Sequence, residues 1–282
     1  MPPMMQAIHF FVLLILLLGD PSLAVAQGIP PNNERVPLVL KESLRHGEWV
    51  DVDLPGADVK IKSFVVYPER KEKAPVVIVI HEIFGMTDWV RGVADTFAAE
   101  GFIAIAPDLL SGMGPDGGGT ESLGSDVRSV IRGLSPEDRG TRLNAVRTYA
   151  LALPAATDRS GCVGFCWGGS TSFIYVTRQS GLNAAVVYYG TAPDSKEELG
   201  KINCPVLGLY GGDDARVTTT VAPTKNLMQE LNKSYSTHVY DGAGHGFLRQ
   251  QSKRDGANLA ASKKAWSTTI EFFKEHLEQP VK

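Results

Sequence analysis

Apolar and polar residues alternate over Trp49–Leu54 and again over Lys60–Tyr67, the period of a half-buried strand. Pro55-Gly56 between them is a turn signal, so the two segments predict an antiparallel pair. From Pro75 the pattern changes. Pro75–Ile80 is a continuous β-branched run, and Phe102–Ala106 and Gly161–Phe165 repeat that character. Such runs predict strands covered on both faces. Ala184–Tyr189, Pro205–Tyr210 and Ser236–Tyr240 read as further strands. Helical spacing falls between them. Trp89, Val93 and Phe97 share one face of a helix over Asp88–Glu100, which Gly101 ends. Ser135-Pro136-Glu137-Asp138 opens a helix that reaches Leu153, with Ser as N-cap, Pro at the first position and acids in the first turn. Further helices are expected from Trp167, over Thr219–Asn232 and over Ala257–Leu277. Buried strands alternating with helices predict an α/β fold: a mostly parallel central sheet, helices on both faces, antiparallel N-terminal strands at one edge.

The start of the chain does not fit this pattern. Ile8–Leu18 is an apolar run too short for a confident membrane span, and Ala24-Val25-Ala26 follows it. Together they read as a signal peptide over residues 1–26, cut before Gln27, which implies export to the periplasm or beyond the cell. No Lys or Arg precedes the run, so an uncleaved anchor is the competing reading. Residues 27–47, Pro- and Asn-rich at their start, are expected to be a flexible lead, and 48–282 a single domain. The 282 residues are 43% hydrophobic and 21% charged, with net charge -3, which gives no basic footprint for nucleic acid. Three cysteines are too few for a disulfide scaffold. Ser111–Ser125, rich in glycine, follows a strand end and reads equally as an active-site loop or a disordered surface loop.

The chemistry concentrates at strand ends. Gly164-Phe165-Cys166-Trp167-Gly168-Gly169 is a G-x-S-x-G elbow with Cys in the Ser place. A sharp strand-to-helix turn leaves no room for side chains two positions either side of Cys166. It sets the Trp167 N–H at a helix N-terminus, where it can stabilise an oxyanion. Gly211-Gly212-Asp213-Asp214 and Gly242-Ala243-Gly244-His245 each follow a strand, so nucleophile, acid and His occur in the chain order of α/β-hydrolases. His245 would take the thiol proton and an acid would fix its tautomer. Asp214 is preferred to Asp213 because it is the Asp of the G-x-x-D-x-x-V spacing. A helix N-terminus and His245 are expected to lower the Cys166 pKa. Cys162 and Cys204 read as core residues, and His9, His46, His81, His238 and His276 as structural or surface. No motif suggests a metal, nucleotide or flavin cofactor.

After about Trp49 the chain resembles the dienelactone hydrolases, or carboxymethylenebutenolidases, of the α/β-hydrolase fold. The resemblance rests on His81-Glu82-Ile83-Phe84-Gly85, Ala106-Pro107-Asp108-Leu109, the Cys elbow, Gly211–Asp214 and His245–Arg249. It implies catalysis by Cys166, His245 and Asp214, with Ile83 N–H and Trp167 N–H as oxyanion donors. It further implies that Glu82 controls the ionisation of the Cys and that Arg249 holds a substrate carboxylate. Read as residues alone, Glu82 could equally pair with Arg91, and Arg249 could be a solvated loop charge. The family's second carboxylate-binding Arg, shortly after Pro-Asp-Leu, is missing from Leu110–Gly114. The expected partner is a small ester or lactone, acted on by a monomer or small homo-oligomer through an acyl-Cys intermediate. Two competing readings remain: a scaffold that binds a small carboxylate without turnover, and a thiol-redox protein. The second lacks a C-x-x-C.

Overall fold

The computed structural model describes residues 28–278; the signal peptide read over 1–26 lies outside them. Eight strands form one sheet in the order β1-β2-β4-β3-β5-β6-β7-β8 among the described residues. They are β1 (Gly47–Asp53), β2 (Lys60–Val66), β3 (Ala74–Ile80), β4 (Ile103–Pro107), β5 (Ala156–Phe165), β6 (Ala184–Tyr188), β7 (Val206–Gly211) and β8 (Tyr235–Tyr240). β2 is antiparallel to both β1 and β4, and the pairs from β4 to β8 are parallel. Thus β2 alone opposes the rest.

All residues of β3 are buried because helices cover both faces of the sheet. Its side chains divide with the two-residue period of a strand. Val77 and Val79 face one core with α2 (Asp88–Ala99) and α9 (Ala257–Leu277). Val76, Ile78 and Ile80 face the other with α5 (Pro136–Leu151), α6 (Trp167–Val176) and α8 (Ala215–Glu230). The Ser135 N-cap of α5 accepts the Asp138 N–H at 3.1 Å, and α7 (Lys196–Gly200) is capped by Ser195 in the same way. β4 and β5 flank β3, so the winding direction switches there, and ligands bind such sheets beside the carboxyl ends of the strands at a switch point. No helix of the described residues is long and apolar enough to cross a membrane.

Two segments differ from what periodicity predicts. Residues 28–46, expected to be part of a flexible lead, contain α1 (Val36–Glu42) and dock on α2. Pro30 and Pro31 are buried, and the Trp89 indole N–H donates to the Pro31 carbonyl at 3.0 Å. Prolines carry no periodic signal, so contacts with distant elements order this stretch. The Gly-rich stretch leads into α3 (Thr120–Leu123) and α4 (Val127–Gly133). Leu110, Leu123, Val127, Ile131 and Leu134 make a small apolar cluster of their own there. Asp108 ties its root: the carboxylate accepts the Leu110 N–H at 3.0 Å, the Thr120 N–H at 2.7 Å and the Thr120 hydroxyl at 2.7 Å.

Candidate active site

Cys166 joins β5 to α6 with φ 56° and ψ −115°. An L-residue tolerates that backbone only where its surroundings enforce it. The enforcement comes from close approach. A Cβ on Gly164 would overlap the Gly168 carbonyl, and one on Gly168 would overlap the carbonyls of Ile80 and His81. The turn lifts Sγ off the sheet and makes Trp167 the first residue of α6, its N–H free of helical bonding.

His245 lies in the loop after β8, and Asp214 stands at the N-terminus of α8, just past β7. His245 Nε2 is 3.0 Å from Cys166 Sγ, and Nδ1 is 2.5 Å from Asp214 Oδ2. A carboxylate on Nδ1 favours the tautomer that leaves the Nε2 lone pair facing sulfur. Asp213 points elsewhere, pairing with half-exposed Arg254 at 2.6 Å. Glu82, at the end of β3, accepts Arg249 Nε at 2.6 Å. It does not pair with Arg91, which instead holds Asp88 at 2.8 Å. Arg249 is therefore part of a largely buried ion pair rather than a solvated loop charge.

The dienelactone hydrolase family model matches residues 61–277. The chain belongs to the dienelactone hydrolase family. Membership makes it an ester or lactone hydrolase. A relative from Escherichia coli O157:H7, assigned by name as a carboxymethylenebutenolidase, is 30% identical over 79% of this chain and 85% of its own length. A second, from Salmonella typhimurium and so named too, is 29% identical over 79% of this chain and 86% of its own. Among solved structures, a dienelactone hydrolase from Anabaena variabilis superposes with TM-score 0.65 at 20% identity, covering 84% of this chain and 100% of that one. A dienelactone hydrolase-like promiscuous phosphotriesterase from metagenomic libraries gives TM-score 0.71 at 21% identity, with 83% and 100% covered. At these identities the superpositions speak for the fold alone.

Within this family member the electrostatics correct one expectation. The Cys166 thiol pKa is raised rather than lowered. Burial is the largest cause and the Glu82 charge the next; the Trp167 N–H and Arg216 oppose them without prevailing. Burial also raises the Glu82 carboxyl, against the pull of Arg249. Burial and the Glu82 charge both favour the neutral thiol. Removing that charge, as in Glu82→Gln, also leaves Arg249 without its counter-ion, and both changes favour thiolate. The pH profile of Cys166 alkylation by iodoacetamide is expected to shift to lower pH in this variant; an unshifted profile would show that Glu82 exerts no control. Cys162 and Cys204 are free and buried, with thiols pushed up to about 12, which suits inert core residues.

His81 is structural. Its Nε2 accepts the Leu109 N–H at 3.2 Å, which leaves Nδ1 to donate to the Glu82 carbonyl at 2.9 Å. Its ring stacks on Trp167 with centroids 5.6 Å apart. It thereby joins the ends of β3 and β4 to the elbow. Ile83 and Trp167, the two residues whose amides the resemblance marks as oxyanion donors, both pack on the apolar cluster of α3 and α4.

Two residues near the site were not read from the sequence. Tyr189 has φ 41°, and its ring meets His245 edge-on at 5.1 Å. Its buried hydroxyl has no hydrogen-bond partner among the described residues. Its position directly after β6, at the strand-end edge that carries Cys166, was the available signal. Arg128, on α4, lies 4.8 Å from the centre of the Phe84 ring, and Arg249 lies 4.9 Å from that same centre. Nothing local in the sequence links Arg128 to Phe84. A groove of about 1020 Å³ opens elsewhere, between β1 and the Gly-rich stretch, lined by Trp49, Lys62, Arg91 and Thr120. It includes none of Cys166, Asp214 and His245.

Proposed function

We propose that this hydrolase cleaves small carboxylate-bearing esters or lactones through an acyl-Cys166 intermediate. The observation that carries this reading is the continuous contact from Cys166 Sγ through His245 to Asp214. His245 Nε2 takes the thiol proton as sulfur attacks the substrate carbonyl, and Asp214 stabilises the imidazolium. The developing oxyanion lies against the Trp167 and Ile83 N–H groups. His245 then protonates the leaving oxygen. In the second half a water attacks the thioester with His245 as base, which restores the thiol. Arg249 receives the substrate carboxylate in place of Glu82, since a guanidinium matches a carboxylate in a fork geometry. Arg128, on the same aromatic ring, adds a second positive charge where the family's second Arg is missing.

The test is a panel of paired activated esters, one member with a free carboxylate and the other a neutral isostere. Arg249→Ala is expected to raise KM for the anionic member by roughly tenfold to a hundredfold, the scale of a charge-assisted hydrogen bond. The neutral member should change little. Arg128→Ala should act in the same direction but more weakly, because Arg128 is exposed and screened. An unchanged anionic preference in Arg249→Ala removes its assigned role. For the leader, we infer cleavage after Ala26 and export; N-terminal sequencing of the mature chain should begin at Gln27.

A further inference from the structure

The segment before β1 lies outside residues 61–277, which the family model matches, yet it reaches the loop that carries His245 and Arg249. The Asn33 N–H donates to the Arg249 carbonyl at 3.2 Å. Gln251 Nε2 donates to the Pro30 carbonyl at 2.8 Å and to the Leu248 carbonyl at 2.8 Å. The same segment is fastened to α2. Besides the bond from Trp89 to Pro31, Val36 is buried so close to Gly92 that a Cβ there would overlap the Val36 and Pro31 side chains. Farther along, Asp95 accepts Arg45 Nε at 3.0 Å and the Ser43 hydroxyl at 2.5 Å. On its other side the loop is held by α9: Asn258 accepts the Gly244 N–H at 3.0 Å and donates to the Gln250 carbonyl at 2.8 Å. The Arg249 peptide thus sits between the family's own helix and a segment outside the matched span.

The Arg249 side chain is held at two ends. Glu82 and Phe84 fix the guanidinium, and Asn33 fixes the backbone carbonyl. A substrate carboxylate that takes the place of Glu82 removes the Glu82 half of the first restraint. From then on the aim of the guanidinium depends on Phe84 and on the backbone. We propose that Pro30–Val36 is a positioning strap that holds the Arg249 peptide and so sets the preference of the site for anionic substrates. This rests on the reading of Arg249 as the carboxylate-binding group. The benefit is preorganisation: a cation held in place loses less freedom on binding than a mobile one.

Cys166 itself supplies a readout that needs no turnover. Iodoacetate and iodoacetamide alkylate the same sulfur and differ in carrying a carboxylate or a neutral amide. The ratio of their rate constants therefore reports how well Arg249 faces the incoming anion. Cys162 and Cys204 are buried and stay out of the measurement. In the full chain, Asn33→Pro removes the N–H donated to Arg249 together with the Asn side chain. It does so at the second position of the Asn32–Arg35 turn, closed by the Arg35 N–H to the Asn32 carbonyl at 3.2 Å, where Pro is favoured. Asn33→Ala keeps the N–H and is the control. Trp89→Phe removes the bond to Pro31 while keeping an aromatic ring, as a second variant independent of the turn.

Asn33→Pro and Trp89→Phe are expected to lower the iodoacetate-to-iodoacetamide ratio by roughly threefold to tenfold, the worth of one hydrogen bond. Asn33→Ala should keep the wild-type ratio, and thermal melts should show all the variants folded. A wild-type ratio in both Asn33→Pro and Trp89→Phe, with a reduced ratio in Arg249→Ala, overturns the strap and leaves the reading of Arg249 standing. An unchanged ratio in Arg249→Ala overturns that reading, and the strap with it.

Discussion

Cys166→Ala is expected to lower turnover of a small activated ester by about a thousandfold or more, with the fold retained. The size follows from what is lost and what stays. The variant keeps both amides, His245, Asp214 and the Glu82–Arg249 pair, so substrate binding survives. Only the atom proposed to form the acyl bond is gone. Ala occupies the same positive-φ position with a smaller side chain, which adds no new overlap at the elbow. Residues of one catalytic unit are not additive, so His245→Ala and the double variant should fall near the single variant. Initial rates settle the magnitude. Mass spectrometry of the wild type mixed with a slowly hydrolysed ester should show one acyl adduct on Cys166 and none in the variant. Activity within a few-fold of wild type would move the chemistry away from this sulfur.

Gly164→Ala should have the largest effect on stability. Its added Cβ would overlap the Gly168 carbonyl carbon and oxygen, all backbone that cannot rotate away. A clash of this kind in a packed core costs about 3 kcal/mol or more. For a domain of this size that lowers the melting temperature by roughly 6–12 °C. The elbow would relax by moving Cys166 away from His245, so activity should fall along with stability. Gly133→Ala is the matched control: nothing lies within 4 Å of its added Cβ, and it should melt within about 2 °C of wild type. Equal melting of the two variants would mean that the elbow tolerates a wider turn than its contacts suggest.

β3, β5 and β7, which lead to Glu82, Cys166 and Asp214, were legible because each is a short run largely buried on both faces, a signal that needs no partner to be seen; β8, at the sheet edge, buries none of its residues. Cys166, Asp214 and His245 were legible as a group for a related reason. Each follows a strand within a few residues, and a parallel sheet gathers such ends at one edge. What escaped the sequence depends on contacts between distant segments. Pro30 and Pro31 have no periodicity, and α2 and the Arg249 loop give them their place. Val127 and Ile131 bury themselves, but the preceding glycines obscured the helix they belong to. Arg128 reaches Phe84 across dozens of residues. The direction of the Cys166 shift was misread because a helix N-terminus is visible in sequence, whereas burial and a carboxylate from another strand are not. The Asp213–Asp214 choice, made on spacing, is separated in the structure by the Arg254 pair on one side and the His245 contact on the other.

The cluster formed by Leu110, Leu123, Val127, Ile131 and Leu134 includes Ile83 and Trp167 at its border. This cluster and the two residues proposed to carry the oxyanion amides are therefore packed as one piece. Trimming Ile131 would loosen the seat of the two residues proposed to bear the amide donors. On the proposed mechanism, acyl transfer would then slow for every substrate. Room for new chemistry in this scaffold is better sought where Arg128 meets solvent than within this cluster.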